Sequence, residues 1–229
     1  MRLNLITVCT GYYPADYAIK LLKRFKELSN LDIIPYCITD KEYELKDHYV
    51  IIEPPEITES WWNKMFIYSN HMPKGWNLYL DLDLVLCKNF DTELEWAVKQ
   101  DRDITSISDA INWLGVRYNS SFLLLKSGTT QHIYEEWLKT KDELIEYEGG
   151  DQVWTGRYLD SIQTDVHYLD DVFDIKRNFK HNLCKVVGEK ILVPEVLSEN
   201  TKIIDCSGFP KPHELKTVPY IKEFWHDVK

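Results

Sequence analysis

The chain alternates between two hydrophobic spacings. Leu3 to Cys9 is a β-branched, apolar run that predicts a buried strand, and Thr10-Gly11-Tyr12-Tyr13-Pro14 breaks it. From Ala15, apolar residues fall at Ala18, Leu21, Leu22, Phe25 and Leu28, which is the spacing of one helical face. Leu31 to Thr39 predicts a second strand, ended by Asp40, and Tyr49 to Ile52 a short third one, stopped by Pro54-Pro55. A β-α-β opening implies parallel strands joined by a right-handed crossover.

Glu59 to Asn70 predicts a helix, with Trp62, Met65, Phe66 and Ser69 on one side. After the turn Pro73-Lys74-Gly75, Leu78 to Leu86 is an apolar run that suits a strand buried on both faces. A helix through Lys99, capped by Asp91, follows, then strands at Asp103 to Ile107 and Ser120 to Leu125. A further helix is predicted from Ser127-Gly128, with Ser127 as cap, to Lys139, burying Ile133, Trp137 and Leu138. Gly149-Gly150-Asp151 opens another, and strands are expected at Asp165 to Tyr168 and Thr201 to Ile204. Strands alternating with helices predict a single α/β unit.

The chemistry enters at the central run, where Asp81 and Asp83 interrupt the apolar residues. An unpaired buried carboxylate is very costly, so two of them require a cation or strong donors. Residues i and i+2 of a strand point to the same side, so these acids converge if the strand ends near Asp81. That places them in a crevice at the strand's carboxyl end, where open α/β sheets bind ligands. Hard oxygen donors suit Mn2+ or Mg2+. The plain alternative exposes one Asp and uses the other to cap the following turn.

Composition narrows the classes. The 229 residues carry 27 basic and 37 acidic side chains, a net charge of −10, which argues against a general nucleic-acid binder. Five cysteines without C-x-x-C spacing, three of them (Cys9, Cys37, Cys87) in apolar runs, suggest a reducing compartment. The apolar N-terminal stretch is too short for a signal peptide and no run approaches a membrane span, so a cytoplasmic protein is expected. No G-x-G-x-x-G follows the first strand, so the Rossmann dinucleotide fingerprint is absent.

Four segments in order carry a resemblance: Tyr79-Leu80-Asp81-Leu82-Asp83, Tyr118-Asn119-Ser120-Ser121 with its apolar strand, Gly150-Asp151-Gln152, and Ile203 to Gly208 with Lys211-Pro212. Together they resemble retaining nucleotide-sugar glycosyltransferases of the GT-A fold, the family of glycogenin and lipopolysaccharide galactosyltransferases. The resemblance implies a mixed, mostly parallel sheet flanked by helices, in one domain over 1–229. Residues 1–90 would form the nucleotide-binding half and 91–229 the sugar- and acceptor-binding half.

It also implies a donor, a UDP-sugar by preference, and a glycan, lipid-linked or protein acceptor. Asp81 and Asp83 would hold Mn2+ or Mg2+, with Asp205 or His213 as third ligand. Asp205 stands where the family has a metal-binding His. Gly208 and Lys211 would touch the leaving phosphate, and Lys64 would reach the phosphates. Thr7, Thr10, Tyr12 and Asp40 would form the nucleobase and ribose pocket, with Tyr12 or Tyr13 stacking on the base. Asn119, Asp151 and Gln152 would hydrogen-bond the transferred sugar, and retention would proceed by front-face departure or through a covalent intermediate on Asp151. Trp61, Trp62, Trp113 and Trp154 are candidate acceptor platforms, with none singled out.

Two other classes remain open. Asp81-Leu82-Asp83-Leu84-Val85 also fits the D-x-D-x-[TV] of haloacid-dehalogenase-type Mg2+ phosphatases, with Asp81 as nucleophile and Asp170-Asp171 as the late acids. That motif normally sits on a first strand, whereas about three strands precede it here. The third class is a non-catalytic binding module on the same fold.

Overall fold

The apolar run Arg2–Cys9 forms β1, and three further parallel strands gather around it. The computed structural model describes residues 1–58, 60–109, 112–144, 147–179, 185–187, 190–192, 197, 199–208 and 210–228. After β1 the chain runs through α1 (Ala15–Leu28), β2 (Asp32–Thr39), the single turn α2 (Glu42–Leu45) and β3 (Val50–Ile52). Helix α1 buries Ala15, Tyr17, Ala18, Leu21, Leu22 and Phe25, the face expected from their spacing.

A 3-10 helix, Ser60–Tyr68, leads to β4 (Trp76–Leu80) and β5 (Leu84–Leu86). Then come α3 (Asp91–Gln100), β6 (Ile104–Ser106), β7 (Phe122–Lys126), α4 (Gln131–Thr140) and α5 (Gly150–Ser161). The last described strands are β8 (His167–Tyr168), β9 (Lys176–Phe179), β10 (Lys185–Val187), β11 (Lys190–Leu192) and β12 (Thr201–Asp205). The main sheet has the order β3-β2-β1-β4-β7-β6-β8. Every neighbouring pair is parallel except the two that β7 makes, with β4 and β6. A second sheet has the order β5-β12-β9, and β10 pairs with β11 alone.

Both faces of the main sheet are covered. Along β4, Leu78 and Leu80 join the cluster with Leu21, Phe25 and Leu94, while Tyr79 faces Met65, Phe66 and Ile133 on the other side. Each such side chain contributes roughly 1.5–3 kcal/mol on burial. No helix among the described residues is long and apolar enough to cross a membrane.

Several local expectations are corrected. Leu78 to Leu86 is two strands: β4 leaves the main sheet at Asp81, and β5 pairs with β12 in the second sheet. The segment expected as a helix over 59–70 is a 3-10 helix, and Glu59 lies outside the described residues. Asp91 is the first residue of α3 and does not cap it. Its N–H is accepted by Asn89 (2.6 Å), and its carboxylate takes the Ser29 hydroxyl (2.5 Å) and the Asn30 N–H (2.8 Å). Ser127 accepts the Gly75 N–H (2.9 Å), and α4 starts later, after Thr130. Leu138 is 41% exposed, whereas Ile133 and Trp137 are buried as expected.

Candidate active site

The site is built on the turn between β4 and β5. The sheet's last bond on β4 runs from the Asp81 N–H to the Ser121 carbonyl (2.9 Å). The Leu84 N–H then closes a turn onto the Asp81 carbonyl (3.3 Å), and the Asp83 carbonyl accepts the Cys206 N–H (3.1 Å). The acid pair is thus fixed between β7 on one side and the end of β12 on the other.

Each acid has a buried lysine. Lys64, from the 3-10 helix, donates to Asp81 Oδ2 (3.1 Å), to the Ser120 hydroxyl (3.0 Å) and to Asp151 Oδ2 (3.0 Å). Burial works against its ammonium, but Asp151 and Asp81 overcome it and raise its pKa above the ordinary lysine value. The other oxygen of Asp81 accepts the Tyr79 hydroxyl. Lys211 donates to Asp83 Oδ2 (2.6 Å) and to the Tyr13 hydroxyl (2.7 Å), which itself donates to Asp83 (3.2 Å). Burial raises the Asp83 carboxyl above its ordinary range, the charge of Asp81 adds to this, and Lys211 opposes it.

Lys64 carries the network to the start of α5. Asp151 and Gln152 occupy its first turn, where an acid is favoured by the helix dipole. The Asn119 amide donates to Gln152 Oε1 (2.9 Å) while its own oxygen accepts the Ser121 N–H (3.0 Å). The structure therefore brings together Lys64, Asp81, Asn119, Asp151 and Gln152 in one group, with Asp83 and Lys211 alongside.

The other expected residues are placed differently. Thr7 is fully buried inside the sheet and donates to the Leu80 carbonyl (3.1 Å), so its side chain lines no pocket. The Thr10 hydroxyl accepts the Asn63 amide (2.9 Å). Asp40 takes the Gly11 N–H (3.3 Å) and pairs with Lys41 (3.3 Å). Tyr12 is 75% exposed and stacks on Tyr13, with ring centroids 5.2 Å apart. Gly208 has φ +67°, a conformation that favours glycine. His213 meets the Tyr17 hydroxyl of α1 through Nδ1. Asp170 and Asp171, just after β8, bond to the Ser108 N–H (2.9 Å) and to Arg117, and β7 and β6 separate β8 from Asp81's strand.

Fit to a divalent cation rests on the donor chemistry. Asp81 and Asp83 offer hard carboxylate oxygens, and the Asp83 carboxyl, raised first by burial and then by the charge of Asp81, sits where a cation would favour its ionised form. Asp205, opposite Leu84 at the end of β12, also raises the Asp83 carboxyl and accepts the Ser207 N–H (2.8 Å). Among the described residues, however, no three His, Cys, Asp or Glu side chains are gathered closely enough to hold an ion.

The sequence offers Tyr12 or Tyr13 as a ring to stack on the base; the Tyr13 hydroxyl also serves Asp83 and Lys211, a role the sequence did not signal. Sequence reasoning missed Tyr79, although the period of two places Tyr79 on the same side as Asp81. Nothing in the sequence signalled the Ser120 bond to Lys64.

No protein-family model matches the chain, and no curated protein matches it in sequence. Solved structures do resemble it. The galactosyltransferase LgtC, in complex with donor and acceptor sugar analogs, is 13% identical, with 98% of this chain and 94% of that one covered at a TM-score of 0.65. Glycosyltransferase GlyE of Streptococcus pneumoniae is 14% identical at a TM-score of 0.64, with all of this chain and 62% of that one covered. Mouse xyloside xylosyltransferase 1 is 14% identical at 0.50, with 78% and 88% covered. At such identities the likeness establishes architecture: the chain has the GT-A fold of glycosyltransferases, a mixed and mostly parallel seven-stranded sheet flanked by helices.

Proposed function

We propose that the protein is a glycosyltransferase that moves a sugar, with retention, from a nucleoside diphosphate sugar, a UDP-sugar by preference, to an acceptor. One observation carries the reading: two buried lysines flank one acid turn, and one of them also holds Asp151 at a helix start. A site with paired acids and paired ammonium groups suits a diphosphate and the cation that accompanies it. The fold, shared with the glycosyltransferases above, supports the same class of reaction.

Asp81 and Asp83 would hold Mn2+ or Mg2+. When bound, the ion supplies a Lewis acid for the charge that develops on the departing diphosphate. Lys211, held by Asp83 and Tyr13, is positioned to exchange a carboxylate for a phosphate oxygen. Gly208 lets the backbone approach that phosphate closely. Asn119 and Gln152 orient the sugar hydroxyls, and Asp151, fixed by Lys64, faces the transferred sugar. Asp40 and Thr10, with Tyr12, border the nucleotide end of the crevice at the close of β1.

The test is calorimetric titration with UDP, with and without Mn2+, followed by UDP-sugar turnover. Metal-dependent binding and release of UDP are expected in the wild type and lost in Asp83→Asn. Absence of UDP binding under both conditions would refute the reading. Mass spectrometry after rapid quench distinguishes the two routes to retention, since only the covalent one leaves a glycosylated Asp151.

A further inference from the structure

Trp61 is the exception on its segment. It is 51% exposed, whereas Trp62, Asn63 and Lys64, which follow it in the 3-10 helix, are buried. In a 3-10 helix the side chains at i and i+3 eclipse each other. Trp61 therefore lies on the same stripe as Lys64, the residue that joins Asp81 to Asp151. Asn63 sits on another side and reaches Thr10 at the end of β1 (2.9 Å). The indole thus belongs to the α5 side of the crevice, away from the expected nucleotide end.

The indole is seated closely. A Cβ on Gly150 would lie 2.6 Å from Trp61 Nε1, 2.9 Å from Cδ1 and 3.1 Å from Cε2, so the pyrrole ring rests on the bare Gly150 backbone. Gly150 has φ +59° as well, so both space and conformation demand glycine there. Its neighbour Gly149 is matched in the same way. A Cβ there would strike Val153 Cγ2 at 2.3 Å and approach Leu114 Cδ1 at 3.0 Å. Leu114 itself holds φ +53°, which disfavours a side chain of its kind. Gly150 thus seats one indole, partly open to solvent, at the start of α5 beside Asp151 and Gln152 in the chain.

We propose that Trp61 is the stacking platform for the sugar ring of the acceptor. A rigid, amphipathic indole with one fixed side and one open side matches the C–H face of a pyranoside. Of the other tryptophans considered as platforms, Trp62 and Trp154 are buried, and the side chain of Trp113 lies outside the described residues. This assignment rests on the glycosyltransferase reading above and names the acceptor's chemical class: a pyranoside with an apolar C–H face.

The probes are methyl β-galactopyranoside and methyl β-glucopyranoside. They are titrated into 15N-tryptophan-labelled protein with UDP and Mn2+ present, and the indole resonances are followed by NMR. The Trp61 signal is assigned by its loss in Trp61→Phe. The expected result is a shift of that signal with at least one glycoside. Trp61→Phe keeps glycoside binding, measured on the remaining indoles, and Trp61→Ala weakens it at least about tenfold. A Trp61 signal that stays still with both glycosides, or Trp61→Ala binding equal to wild type, overturns the proposal. Calorimetry with UDP and Mn2+ is run separately. If it shows no nucleotide binding the donor reading fails, while a moving or still Trp61 signal continues to decide the platform.

Discussion

Replacing Lys64 with Met removes one ammonium from two carboxylates and a hydroxyl. The distances are 3.1 Å to Asp81 and 3.0 Å to Asp151. At an effective dielectric of about 20, each pair is worth about 5 kcal/mol of attraction. Desolvation of the buried ions cancels several kcal/mol of that, and the net loss on removing one partner of a buried pair is about 3–5 kcal/mol. Met keeps the volume of the aliphatic stem, so the loss reports charge and hydrogen bonding more than packing. Because a domain of this size has about 5–15 kcal/mol in total, K64M should remain folded at low temperature but melt early. The expected fall in Tm is about 6–20 °C, at about 2–4 °C per kcal/mol. Urea titration of wild type, K64M, D151N and K64M/D151N closes a double-mutant cycle, in which a coupling of about 2 kcal/mol or more is expected. A K64M protein within about 1 kcal/mol of wild type would show that the lysine does not hold the acids.

D83N should lower UDP-sugar turnover by about 100-fold or more, as expected when charge at a reacting diphosphate loses its partner, and equal turnover in a steady-state assay would refute the role. The raised carboxyl of Asp83 gives a signed pH effect: its fold binds the proton at higher pH than the unfolded chain does, so this group's contribution is largest at low pH and is lost as pH rises through its raised value. Urea melts from pH 4 upward should show that slope in wild type and a flatter one in D83N. G150A should destabilise by about 1–2 kcal/mol from its left-handed backbone alone and should shift the Trp61 indole signal, checked by urea titration and NMR. Y13F leaves Lys211 and Asp83 without a shared hydroxyl and should weaken UDP binding by about 1 kcal/mol, measured by calorimetry.

What the sequence disclosed follows from where its signal is local. Strand Arg2–Cys9 and helix Ala15–Leu28 were legible because their burial periods are unambiguous and Gly11 and Pro14 separate them. The Leu78 to Leu86 run was not, because apolar content says that a residue is buried and not which sheet it joins; the partner of Leu84 is Asp205, far along the chain. Leu138 was assigned to the core on its type, but α4 turns Ile133, Tyr134 and Trp137 inward and leaves Leu138 exposed. At the site, the Asp81 and Asp83 pair announced itself through the cost of burying charge. The partners that meet this cost, Lys64 and Lys211, came from resemblance, because nothing in their own neighbourhoods distinguishes them from solvated lysines. Thr7 shows the opposite failure: a polar residue at the right strand end, whose hydroxyl the backbone of β4 had already taken.

The pairing of β5 with β12 has a consequence for biosynthesis. A ribosome delivers Asp81 and Asp83 early, but the strand that clamps their turn through the Asp83 carbonyl arrives only with Thr201–Cys206. Contacts so distant in sequence form late and slowly. A nascent chain would lack that clamp on the Asp83 turn until the strand docks, so the site would be completed only at the end of folding.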